Sequence, residues 1–132
     1  MEEIIKTERR NHDAHDIILS ILYYFPEEAK WDELSFHEAL HKVIFRYRIL
    51  DRLEFKNTNG IYYSDEIGKV FDLLELSGLL KRKEDSIKLW LEIIKSHFDG
   101  ELRQSFIDAD LEDLRSLSEE IQKLLGIKYI ED

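Results

Sequence analysis

Residues 64 to 91 read SDEIGKVFDLLELSGLLKRKEDSIKLWL, and the fold turns on how this stretch divides. Ser64 is a strong N-cap residue, and Asp65 and Glu66 follow it where a helix dipole favours acids. Ile67, Val70, Phe71 and Leu74 recur at 3-4 spacing and give one apolar stripe. Gly78 is placed to end the helix. Beyond it two divisions compete. Leu79 to Lys83 and Ile87 to Leu91, joined by Glu84-Asp85-Ser86, read as a β-hairpin whose second arm alternates. Ile87, Trp90, Leu91, Ile94 and Phe98 also fit a helix. We take the hairpin, followed by a helix from about Glu92 to Phe98.

Working back towards the N-terminus, Asn57-Thr58-Asn59-Gly60 is a turn signal. It sits inside a non-helical stretch, residues 54–63, and Ile61, Tyr62 and Tyr63 form a short extended segment. Before that, a helix is expected to open at Ser35, which has capping-box spacing to Glu38. Its apolar face is Phe36, Leu40, Val43, Ile44 and Tyr47. Phe45 and Ile49 fall on the outer side, so this helix is buried on both sides or meets a partner. A first helix is expected from Asn11, with Ala14, Ile17, Ile18, Ile21, Leu22 and Phe25 as its buried stripe and Pro26 as its end. Tyr23-Tyr24-Phe25 and Tyr62-Tyr63 are expected to be half-buried rather than exposed anchors.

Towards the C-terminus, Asp110 caps a last helix. Leu111, Leu114, Leu117, Ile121, Leu124 and Leu125 line one face, and Gly126 ends it. Glu112, Asp113, Glu119 and Glu120 make the opposite face acidic. The expected architecture is mainly α: a compact bundle of about five helices with a small β-hairpin. Residues 1–132 read as one domain, with residues 1–10 as a charged arm.

Bulk composition narrows the function classes. The 132-residue chain is 43% hydrophobic, enough for a core, and 36% charged. It has no cysteine, which excludes disulfides, thiolate metal sites and cysteine nucleophiles. Its formal net charge of −10 opposes polyanions and disfavours nucleic-acid binding. The start, Met1-Glu2-Glu3-Ile4-Ile5-Lys6, lacks the features of a signal peptide. No run approaches the roughly 18 apolar residues of a membrane span. A cytoplasmic protein that contacts no membrane is expected.

One motif bears on chemistry. His37-Glu38-Ala39-Leu40-His41 has the H-E-x-x-H pattern. On a helix, residues i and i+4 share a face, so both imidazoles can reach one metal ion. The glutamate can then act as general base on bound water. The pentapeptide resembles that of zinc-dependent metallopeptidases, the zincins. That resemblance implies zinc on His37 and His41, Glu38 as catalytic base, and a third ligand such as Glu66. His12 and His15, at i and i+3 on the first helix, are further candidates. The competing reading makes the histidines polar residues bordering a core face and Glu38 a capping residue. It needs no cofactor, and it is the one we adopt.

Two basic clusters stand out: Lys42, Arg46, Arg48, Arg52 and Lys56, then Lys81, Arg82, Lys83 and Lys88. They could meet phosphate or an acidic partner. The favoured reading is a solvated surface balanced by Asp51, Glu54, Glu84 and Asp85. No Gly-rich phosphate loop and no G-x-S-x-G elbow is present.

Gly60-Ile61-Tyr62-Tyr63-Ser64 through Ser77-Gly78-Leu79-Leu80, with its capped helix and basic hairpin, resembles the recognition helix and wing of winged-helix domains. More narrowly it is similar to the Gly-x-Tyr-Ser…Gly-Leu stretch of Panacea-type antitoxin domains, which neutralise toxins by protein contact. The resemblance, covering residues 60–91, implies a winged-helix-like fold whose surface serves a protein. The gap at residues 51–63 far exceeds a helix-turn-helix turn. The expectation is a non-enzymatic interaction module, an accessory or antitoxin-like subunit. Its partner is another protein or a second copy, with Phe45, Ile49, Arg46, Arg48 and Arg52 as contact candidates. The alternatives are an HExxH hydrolase and a winged-helix-like nucleic-acid regulator.

Overall fold

The computed structural model describes residues 13–127. Five α-helices lie in this span: α1 (Ala14–Leu22), α2 (Glu33–Lys42), α3 (Asp65–Leu76), α4 (Leu91–His97) and α5 (Asp108–Leu125). Five short strands accompany them: β1 (Glu28–Ala29), β2 (Lys56–Thr58), β3 (Ile61–Tyr63), β4 (Leu80–Arg82) and β5 (Ile87–Leu89). The protein is mainly α with small antiparallel sheets, as the periodicity implies. Among the described residues, no helix is long and apolar enough to cross a membrane.

α1 is the central helix. Ile17, Ile18, Leu19, Ser20, Ile21 and Leu22 are all buried, a wider face than the single stripe expected. The reason is that α3 and α5 pack on α1, and the turn after α4 closes another side. There Tyr23 and Phe98 bring their ring centroids to 4.8 Å. Asp13 caps α1 through the Asp16 amide, 2.9 Å away. Asn11, the expected cap, and His12 lie outside the described residues.

The end of α1 leaves backbone carbonyls without helical partners. α5 supplies donors. Ser118 Oγ donates to the Ile21 carbonyl at 2.8 Å, and Gln122 Nε2 donates to the Tyr24 carbonyl at 3.1 Å. Phe25, Trp31, Phe36 and Phe71 form an aromatic cluster, with successive centroids 5.2 to 5.6 Å apart.

α2 starts earlier and stops sooner than expected. Asp32, not Ser35, is the N-cap and accepts the Ser35 amide at 2.8 Å. The helix ends at Lys42, before Val43, Ile44 and Phe45, a run of weak helix formers. Residues 43–46 turn, and Arg48–Leu50 forms a 3₁₀ turn. Tyr47 therefore leaves the helix face and donates its hydroxyl to Glu120 of α5 at 2.9 Å. Burial, with Asp113 adding, pushes that phenol above its ordinary value, so it stays a neutral donor.

β2 and β3 form a hairpin joined by Asn59-Gly60. Both residues have positive φ, 55° and 85°, as a type I′ turn demands. β4 and β5 form the second hairpin, in the place the alternation favoured. β1 was not foreseen: Glu28 and Ala29 pair with Lys88 and Ile87, giving the order β1-β5-β4. Two residues are too few to leave a periodic trace.

α4 runs on through a π turn (Phe98–Leu102) and a 3₁₀ turn (Arg103–Ser105). α5 begins at Asp108, with Ile107 as N-cap, so Asp110 lies in its first turn rather than capping it. Gly126, at φ 76°, ends α5 as expected. Leu114, Leu117 and Ile121 are buried, whereas Leu124 is 45% exposed.

Candidate functional site

α2 presents the H-E-x-x-H residues to the β2–β3 hairpin and the start of α3. His37 is fully buried. Its Nδ1 accepts the backbone N–H of Ser64 at 3.0 Å, and its Nε2 lies 2.9 Å from Glu33 Oε2. The first contact requires Nδ1 to be bare, so Nε2 carries the proton and donates to Glu33. The imidazole ring stacks on Tyr63, with centroids 4.2 Å apart and planes at 10°.

This arrangement completes a capping box from another element. Ser64 Oγ accepts the Ile67 amide at 3.3 Å, the ordinary half of the motif. In the other half, a side chain three residues on accepts the N-cap amide. Ile67 occupies that position and cannot accept, so His37 does so from α2.

Glu38 and His41 also meet the hairpin. Glu38 Oε2 accepts the Tyr62 amide at 3.3 Å. His41 is half-buried, stacks on Tyr62 at 3.6 Å and meets Phe55 edge-on at 5.4 Å. Each polar residue of the pentapeptide thus touches residues 62–64 or their neighbours.

The other metal candidates sit as follows. Glu66 is the second residue of α3, and its Oε1 is buried without a hydrogen-bond partner among the described residues. His15 on α1 has Nδ1 4.0 Å from Asp16. Among the described residues, no group of three or more His, Asp or Glu side chains is placed to hold a metal ion. To ligate one, His37 would have to surrender Glu33 or the Ser64 amide. Glu33, His37 and Ser64 are also not a nucleophile relay, because the imidazole holds the serine amide and not Oγ.

Glu33 links this site to the β4–β5 hairpin. Its Oε1 takes Arg82 Nη1 at 2.5 Å, and Arg82 Nη2 also reaches Asp72 at 2.9 Å and Glu75 at 2.6 Å. The hydrogen bond that Arg82 donates to Glu75 leads the effects that raise the Arg82 pKa. Sequence reasoning missed Glu33 and Tyr63. Glu33 had a signal, its i,i+4 spacing to His37, whereas Tyr63 had none beyond its place in an extended segment.

The basic clusters are partly committed to carboxylates. Arg46 pairs with Glu120, Lys56 with Asp65 and Lys83 with Glu28. These acids are not the expected balancing set of Asp51, Glu54, Glu84 and Asp85. Arg48 and Arg52 are exposed. Ile49 is a correction: its 3₁₀ turn leaves it half-buried against the core, not on an outer helix face.

Among the described residues, large apolar side chains are exposed at several places, Trp90 at 52% among them. On α3, Leu73 is 54% and Leu76 84% exposed, beside Asp65, Asp72 and Glu75. After α2, Phe45 is 96% exposed. Compared with known proteins, the chain matches no family model, no curated protein and no solved structure.

Proposed function

We propose that this protein is a non-enzymatic protein-interaction module, an accessory or antitoxin-like subunit of winged-helix-like build. The observation carrying the reading is the outward face of α3. In the winged-helix likeness that helix corresponds to the recognition helix, and it lies between α2 and the β4–β5 hairpin. A helix that reads nucleic acid needs cations and amides towards the phosphates and base edges. α3 offers Leu73 and Leu76 beside Asp65, which pairs with Lys56, and Asp72 and Glu75, which share Arg82, with Lys69 as the helix's one cation. Leucines rimmed by carboxylates suit a protein partner.

The strand order supports the winged-helix likeness, since β1 precedes α2 and pairs with the second arm of the wing. The likeness to Panacea-type antitoxin domains supports a neutralising or accessory role; it is an analogy of fold.

The test is a photo-crosslinking residue at position 76, in protein made in its own cells, with position 116 as an exposed control. A discrete protein adduct at 76, lost in Leu73→Asp, is the expected result. No adduct, or adducts to nucleic acid alone, would overturn the reading.

A further inference from the structure

The β4–β5 hairpin shows solvent a ladder of cross-strand pairs. Lys83 donates its amide to the Ser86 carbonyl at 2.8 Å, Lys81 lies directly opposite Lys88, and Trp90 donates its amide to the Leu79 carbonyl at 2.9 Å. Residues two apart on a strand share a face. Lys81, Lys83, Lys88 and Trp90 therefore turn away from the core that holds Leu80, Ile87 and Leu89. Both Lys81 and Lys88 are exposed, and Trp90 is half exposed.

Like charges directly opposite each other destabilise an antiparallel pair. Among the described residues, neither Lys81 nor Lys88 is held in an ion pair. Lys88 faces Glu28 across β1, but that carboxylate is bonded to Lys83 at 2.9 Å. Glu84 and Asp85 sit at the far tip of the hairpin, between β4 and β5. At the near end a cleft of about 330 Å³ opens, bounded by Lys81, Lys88, Trp90, Glu27 and Gly78.

The wall of this cleft defines its ligand. Two ammonium groups on residues about 5 Å apart at Cβ can share one carboxylate. Two residues along β5, roughly 6.6 Å away, the Trp90 indole suits an apolar side chain. Glu27 accepts hydrogen bonds. An extended peptide supplies all three complements at the same repeat: an acidic side chain, an apolar one two residues on, and backbone N–H groups. A run of phosphates offers Glu27 no donor, and the chain's net charge of −10 opposes it.

We propose that this cleft binds an acidic peptide segment of a partner protein, its carboxylate between Lys81 and Lys88 and its apolar side chain against Trp90. The surface is distinct from the Leu73 and Leu76 face of α3. The test is titration of the isotope-labelled full chain with an acetylated Ser-Glu-Ser-Phe-Ser peptide, read by amide and indole N–H correlation. The chain has two tryptophans, and Trp31 is buried, so its indole serves as an internal control. The Trp90 indole and the amides of residues 79–81 and 88–90 shift and saturate, while the Trp31 indole stays in place. Lys81→Glu puts opposite charges across the pair, so its melting temperature rises while its affinity falls roughly tenfold or more. Trp90→Ala weakens binding to a similar degree, and Leu73→Asp leaves it unchanged, so this site and the α3 reading fail separately. Three results would each overturn the proposal: no saturable shift, equal shifts with lysine replacing the peptide's glutamate, or the same resonances moved preferentially by a DNA duplex.

Discussion

His37 has one ring nitrogen on a carboxylate and the other on a backbone amide, inside a dry site. Replacing it with alanine leaves the Ser64 amide buried without an acceptor and opens a void under Tyr63. Each change is destabilising, and together they are expected to remove about 3 kcal/mol, read by urea unfolding. A loss below about 1 kcal/mol would mean that the capping role is wrong. Arg82 permits a pH test. The Arg82 hydrogen bond lowers the Glu75 pKa below its ordinary value of 4.5. A depressed carboxyl stabilises the fold above its unfolded pKa and loses that contribution as pH falls through its folded value. Arg82→Gln is therefore expected to lower the melting temperature at neutral pH, and the gap from wild type should narrow as the pH falls below the ordinary carboxylate range. A gap that stays constant into acid would contradict the network. The pentapeptide was visible in the sequence because it is a fixed string. Its partners were not, because Tyr62, Tyr63 and Ser64 lie more than twenty residues away and only the fold brings them to α2.

α3, the β4–β5 hairpin and the turn and second arm of the β2–β3 hairpin follow local rules that one sequence displays: a serine cap, a 3-4 stripe, an arm that alternates, and an Asn-Gly turn; the first arm, Lys56–Thr58, carries no such signal. The boundaries of α2 and α5 do not, because several cap residues compete within a few positions. The choice of Asp32 over Ser35 as cap of α2, and the start of α5 at Asp108 behind Ile107 rather than behind Asp110, are decided by packing beyond the helix. Gly68, inside α3, breaks a local preference for a tertiary reason. A Cβ there would collide with the Tyr63 hydroxyl. Gly68→Ala should gain about 1 kcal/mol of helix propensity yet lose more by displacing Tyr63 from His37, since overpacking costs roughly 1–3 kcal/mol. Chemical denaturation reads the net sign, and a stabilised variant would show that Tyr63 is not held as described.

Across the described molecule, α1 is enclosed by elements from the middle and the C-terminal part of the sequence, and its carbonyls are closed by α5. Hydrophobic periodicity identified both helices, but no pattern in either announced that Ser118 and Gln122 point at the end of α1. Ser118→Ala is expected to cost about 1 kcal/mol, with amide exchange accelerated at residues 22–25 rather than uniformly. Uniform acceleration alone would assign Ser118 no local role.

The central claim is that the H-E-x-x-H strip is a clamp on the hairpin and the α3 cap rather than a metal ligand set. Long-range ¹H–¹⁵N correlation of the histidine rings, with and without one equivalent of zinc, tests it most directly. The account predicts His37 as the Nε2–H tautomer, with its nitrogen shifts and those of His41 unmoved by zinc. A bare Nε2, or shifts at both rings that saturate at one equivalent, would contradict it and place a metal site on α2.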